Sequence, residues 1–202
     1  MNGARIGPAE VLAVAGGLVS GGFAAFAYYT DGLRILAHAF VLWIVLVVAV
    51  SSRASPGRAY WRTVAALVPA VLAFYFGKKI AYGVKYSGMP YLLDTGTVVL
   101  WCVLGFAAGL LGLVFRHIGT DTRAGVFATA AAVGLLLADA VREGGRQDPV
   151  TLTVATVLGI GVVLWLGVGS LRKLGLVVAL AVPCAVVSTL LVALPDVFEA
   201  LL

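Results

Sequence analysis

Five side chains stand where they could do chemistry that their apolar surroundings cannot: Arg34, His38, Lys78, Lys79 and Asp139. His38 changes charge near neutral pH and Asp139 is a carboxylate, so the two types supply the acid and base of a proton transfer or the ends of an ion pair. Each lies within or at the end of an apolar run. An ionisable group there costs about 2.5–3.5 kcal/mol at mid-bilayer and demands a partner, water or a ligand. Arg34, Lys78 and Lys79 are cations, which suit an anionic ligand.

The two adjacent lysines belong to FYFGKKIAYGVKYSGMPY, residues 74–91, where three lysines, four tyrosines and three glycines follow an apolar run. On a helix, Tyr75, Lys79, Tyr82 and Tyr86 share one side, and Lys78, Tyr82 and Lys85 form a neighbouring stripe. One reading is an interfacial anchor, with tyrosine rings at headgroup level and lysine stems snorkelling towards it. The other is a ligand site at the same membrane face.

What must position these groups follows from the rest of the chain. Of its 202 residues 62% are hydrophobic and 11% charged, against about 25% charged in an ordinary soluble domain. Apolar runs of bilayer length recur between short polar breaks, giving seven expected spans: 9–29, 33–50, 60–83, 93–115, 123–141, 150–168 and 174–194. The second and fifth are short and carry ionisable groups, so a re-entrant hairpin is the alternative there. The connections, such as TDGL, SSRASPGRA and RHIGTDT, are turns rich in Gly, Pro, Ser and Asp. The expected fold is an all-α polytopic transmembrane bundle of about seven spans, one integral membrane domain over residues 1–202 with no soluble domain. The first span, followed by AYYTDG rather than a small-residue cleavage site, reads as a retained anchor.

Seven spans place Asp31, Arg34, His38, Lys78, Lys79, Asp94, Asp139, Arg142 and Glu143 towards one face. Arg5, Arg53, Arg58, Arg62, Arg116, Arg123, Arg172 and Lys173 fall on the other, against Arg34, Lys78, Lys79, Lys85, Arg142 and Arg146, so the basic bias expects a cytoplasmic N-terminus in a cell-membrane protein, with the acidic tail PDVFEALL outside. The net charge of +5 is the charge of such loops, which meet anionic headgroups; nucleic-acid binding is not implied. GLVSG and GFAAG are small-xxx-small seams for helix packing, and Pro69 and Pro183 stand deep in the third and seventh spans. Cys102 and Cys184 lie within spans and read as small apolar residues.

The glycine-rich VAGGLVSGGFAAFA, the Trp43-containing second span, AFYFGKKIAYG, WCVLGFAAGLLGLVFRH and GLLLADAV follow one another in an order that resembles a family of uncharacterised seven-span membrane proteins common in actinobacteria. The resemblance covers nearly the whole chain and implies a multi-pass membrane fold; it carries over no activity and no residue role.

The chain contains no H-E-x-x-H, Walker A, G-x-S-x-G or D-x-x-D pattern, and no cofactor or metal set is recognisable. Retinal binding is rejected because the seventh span holds no lysine beyond its start at Lys173. The substrate-binding subunits of energy-coupling vitamin importers are similar in size, but their usual six spans argue against that assignment. The leading expectation is binding or transport of a small molecule or lipid through an outward-facing polar recess among Arg34, His38, Lys78, Lys79 and Asp139. The alternatives are an accessory or assembly subunit whose glycine seams meet another membrane protein, and a membrane-embedded lipid-modifying enzyme using His38 or Asp139. Membrane lipids are partners in every case.

Overall fold

A computed structural model describes residues 7–87, 89, 91–145 and 149–199. Arg5 and Arg146 of the charge count, Gly88 and Pro90 of the basic aromatic stretch, and residues 200–202 of the acidic tail lie outside them. The described elements are all helical: α1 (Pro8–Tyr28), α2 (Ile35–His38), α3 (Val41–Ser51), α4 (Pro56–Lys85), α5 (Thr95–Phe115), α6 (Arg123–Glu143), α7 (Pro149–Gly167) and α8 (Leu171–Glu199). Among them α1 and α4 to α8 are long and apolar enough to cross a bilayer. The chain is a multi-pass membrane helix bundle, and no soluble domain occurs among the described residues.

The stretch expected as the second span, 33–50, is not one helix. It breaks into α2 and α3 at Ala39, whose ψ of 141° is extended. The two pieces still carry the chain from one end of the bundle to the other. Arg34, just before α2, donates from Nε to the Tyr28 carbonyl at the end of α1. Arg53, just after α3, donates its N–H to the Arg116 carbonyl at the end of α5, 2.9 Å away. The broken segment is therefore not among the six described helices that are long and apolar enough to cross a bilayer.

The glycines are used for packing within the chain. A Cβ at Gly17 would fall on the Ala66 carbonyl oxygen of α4 and one at Gly21 on that of Ala70, so α1 and α4 meet backbone to backbone. On the other side of α4, Gly109 lies against the Tyr60 ring and Gly112 against Ala59 and Thr63. Pro69 and Pro183 sit inside α4 and α8 as expected, and Pro195 is a further proline inside α8, near its end.

Helix α6 runs through the middle. Its Ala128, Ala130, Ala132, Leu135 and Leu136 are buried, whereas α5, α7 and α8 turn many large apolar side chains outwards. With hydrocarbon as the surrounding solvent, that exposure carries no penalty.

The two ends of the bundle differ. At the end where α1 begins, Arg62 pairs with Glu10 at 3.0 Å, and Lys173 donates to the Thr120 carbonyl at 2.7 Å. Gly119 turns there at φ +83°, where a Cβ would also strike the Arg53 guanidinium. At the opposite end lie the groups singled out for chemistry.

Candidate functional site

The break between α2 and α3 exposes backbone groups that a continuous helix would pair internally: the His38 carbonyl with the Leu42 N–H, and the Phe40 N–H with the Leu36 carbonyl. In hydrocarbon such groups need another partner. Two side chains of α6 supply it. Asp139 Oδ2 accepts the Phe40 N–H at 2.6 Å, and Arg142 Nη2 donates to the His38 carbonyl at 2.9 Å. Three residues apart on one helix face, Asp139 and Arg142 pair with each other at 2.9 Å and together bridge the break.

Arg142 is the hub of a larger cluster. Its Nη2 lies 3.1 Å from Glu143 Oε1, and its Nη1 donates to both carboxylate oxygens of Asp196 on α8, at 3.1 and 3.2 Å. The guanidinium plane rests 4.1 Å from the Phe40 ring centre. Every nitrogen of Arg142 is thus engaged, in a fork geometry that lysine could not reproduce. Asp139 and Glu143 are each only 1% exposed. Breaking such a buried pair by removing one member leaves an uncompensated charge, which is far costlier than losing a surface bridge.

Beside this cluster lies a cavity of about 240 Å³. His38, Lys78, Arg142, Glu143 and Asp196 form its polar wall, and Tyr28, Phe74 and Tyr75 face them. The Lys78 ammonium sits 4.0 Å over the Tyr28 ring, with Phe74 and Tyr75 at 5.2 and 5.7 Å. The His38 ring is 5.6 Å from that of Tyr28. This position answers one of the two adjacent lysines: Lys78 turns inwards to an aromatic bed.

The five expected site residues therefore divide. His38 and Lys78 line the recess, and Asp139 stands next to it, holding Arg142 and the Phe40 N–H. Arg34 and Lys79 are exposed and do not line it. Farther along α4, Lys85 donates to the Tyr29 carbonyl at 3.2 Å, and Tyr82 packs against Tyr86 and Tyr91 at 4.9 and 5.1 Å. The basic aromatic stretch thus combines an inward lysine with a belt of rings at the helix end. Burial, with neighbouring tyrosines adding to it, pushes the Tyr29 phenol up to about 12. Past this belt, Asp94 caps α5 by accepting the Gly96 and Thr97 N–H groups, and the Thr97 hydroxyl foremost holds its carboxyl below the usual range.

Sequence reasoning missed Asp196 and three aromatic residues. Asp196 is the acid that follows Pro195 at the end of the last apolar run, a placement as anomalous as that of Asp139. Phe40, Trp43 and Trp101 matter because they line both this recess and a second cavity. Trp43 and Trp101 meet edge to face at 6.0 Å, and Phe40 lies 5.9 Å from Trp101. The Trp101 indole N–H is buried and finds no acceptor among the described residues.

The second cavity, about 370 Å³, is apolar: Leu67 and Val71 of α4, Leu104, Ala108 and Leu111 of α5, and Leu191 and Pro195 of α8 contribute to it. A charged chamber and a hydrocarbon chamber therefore share one aromatic wall. Among the described residues no group of three or more His, Cys, Asp or Glu is arranged to hold a metal ion. Compared with protein-family models, curated proteins and solved structures, the chain finds no significant match.

Proposed function

We propose that this membrane protein binds an amphiphile, with its polar head in the recess beside Lys78 and Arg142 and its apolar part in the neighbouring cavity. The shared wall of Phe40, Trp43 and Trp101 carries the reading, because a two-sided site of this kind matches a two-sided molecule. The charge balance refines the head. Lys78 and Arg142 are matched by Glu143 and Asp196, with Asp139 behind them, and every Arg142 nitrogen is already taken. That balance favours a zwitterionic or neutral polar head over the bare anion expected from the cations alone. With the basic end of the bundle in the cytoplasm of a cell-membrane protein, the recess opens on the outer side.

The test is to purify the protein in a mild detergent, extract bound amphiphiles and quantify them by mass spectrometry. Near-stoichiometric amphiphile, reduced in Lys78→Met and Ala108→Phe variants that remain folded, is the expected result. Protein that carries none, or variants that retain as much as the parent, would remove the reading. Reporter fusions at the two termini test orientation independently: the expected result is an inside N-terminus and an outside C-terminus.

A further inference from the structure

The apolar cavity is not sealed within the bundle. Ala107 and Leu110 of α5 line it and are exposed, Leu110 to 60%. Leu191 and Leu194 of α8 also line it while 46% and 44% exposed. Residues that face both a cavity and the outside mark its mouth, and this mouth lies on the side wall of the bundle, between two membrane-crossing helices. Helices α5 and α8 touch at only a few positions there. The solvent at that wall is hydrocarbon.

The shape of the cavity adds a second constraint. Its lining on α5 runs from Trp101, at the polar recess, to Phe115 at the far end of that helix. At about 1.5 Å of rise per residue this is a slot about 21 Å long, longer than half of a hydrocarbon core of about 30 Å. A slot of that length fits an extended chain and not a compact solute.

From these observations, and resting on the amphiphile reading above, we infer that the occupant is a long-chain bilayer lipid that enters sideways between α5 and α8. Its chain lies along α5 from Trp101 towards Phe115, and its head stops at the Lys78 and Arg142 recess. The route requires no passage of the chain through water.

Tryptophan quenching tests this directly. Trp61 and Trp165 are exposed on the lipid-facing surface, to 61% and 80%. A Trp61→Phe/Trp165→Phe background therefore leaves Trp43 and Trp101, of the four tryptophans in the chain, as reporters. Phosphatidylethanolamine, whose head is zwitterionic, is titrated into the micellar protein with bromine near the middle of its acyl chains. Saturable quenching is expected, and Ala107→Phe, which crowds the mouth, should weaken it roughly tenfold, equivalent to about 1.4 kcal/mol. Val103→Phe is the control: Val103 is 58% exposed on the same helix but does not line the cavity.

Equal behaviour of the Ala107→Phe and Val103→Phe proteins would overturn the lateral route. So would failure of the brominated lipid to quench when the purified protein still carries a short-chain amphiphile, an outcome that leaves the broader reading standing. Protein that carries no amphiphile and shows no quenching would remove both.

Discussion

The Asp139 carboxylate accepts the Phe40 N–H at 2.6 Å, joining residues 99 apart in the chain where the segment between α2 and α3 loses its helix. The backbone leaves helical geometry at Ala39, and α6 supplies the missing acceptor for Phe40 through Asp139 and the missing donor for His38 through Arg142. The ion pair is therefore part of the fold, and its Arg142 also lines the recess. Irregular backbone at membrane depth is tolerated where protein groups satisfy it, and this break is satisfied from both sides.

Removing the acceptor should be expensive. Asp139→Ala strands the Phe40 N–H and unbalances the Arg142 cluster, for an expected loss of about 3–5 kcal/mol. Asp139→Asn, which keeps an acceptor oxygen, should lose less. In detergent melts, Asp139→Ala/Arg142→Met should be less destabilised than the sum of the single substitutions, since the two groups act together. Strict additivity would mean that the pair does not bridge the break as a unit.

The first glycine seam offers a sharper contrast between neighbours. A Cβ at Gly21 falls on the Ala70 carbonyl, whereas one at Gly22 meets nothing within 4 Å. Gly21→Ala should destabilise by about 1–3 kcal/mol through forced separation of α1 and α4. Gly22→Ala should be neutral or slightly stabilising, because alanine favours the helix. Thermal unfolding of the two variants decides the matter; matched melting temperatures would argue against close packing of α1 on α4.

These two positions also show how much the sequence could say. Hydropathy located the segments, and at their ends it erred where charged or ring-bearing residues continue a helix, as from residue 60 back to Pro56 and from residue 83 on to Lys85 in α4, and from residue 194 on to Glu199 in α8. Alternation of the spans put His38, Lys78 and Asp139 at one end, where the recess lies. The break itself was illegible, because AHAFVLW contains no proline or glycine to announce it. Its cause is tertiary: side chains of α6 stabilise an extended Ala39 that no local signal requires. Trp101 was illegible for the opposite reason, since an aromatic residue in an apolar helix looks like any other core residue until two cavities are found on either side of it.

The adjacent lysines should separate on substitution. Lys78 lies over the Tyr28 ring, a contact worth about 0.5–2 kcal/mol depending on desolvation, while Lys79 is exposed. Lys78→Met is expected to lower stability by about that amount, and Lys79→Met to leave it within about 0.5 kcal/mol of the parent. Detergent melts of the two proteins give the comparison. Equal losses would return both lysines to a shared anchoring role.

Alkaline pH should act through Tyr29, which follows α1 at the polar end. Its phenol is pushed up to about 12, first by burial and then by Tyr91, Tyr28 and the other rings around it, while an unfolded tyrosine ionises near 10. Between those values the folded protein holds a proton that the unfolded chain has released. Stability therefore falls as pH rises through the window from about 10 to about 12, and the contribution is fully present below it. Tyr29→Phe removes the ionisable group and should flatten that fall while leaving the melting temperature at neutral pH nearly unchanged. Lysines titrate in the same range in both proteins, so the comparison must be the difference between the two melting curves across pH. A difference that stays constant from neutral pH to about 12 would show that the phenol of Tyr29 does not contribute to the alkaline limit.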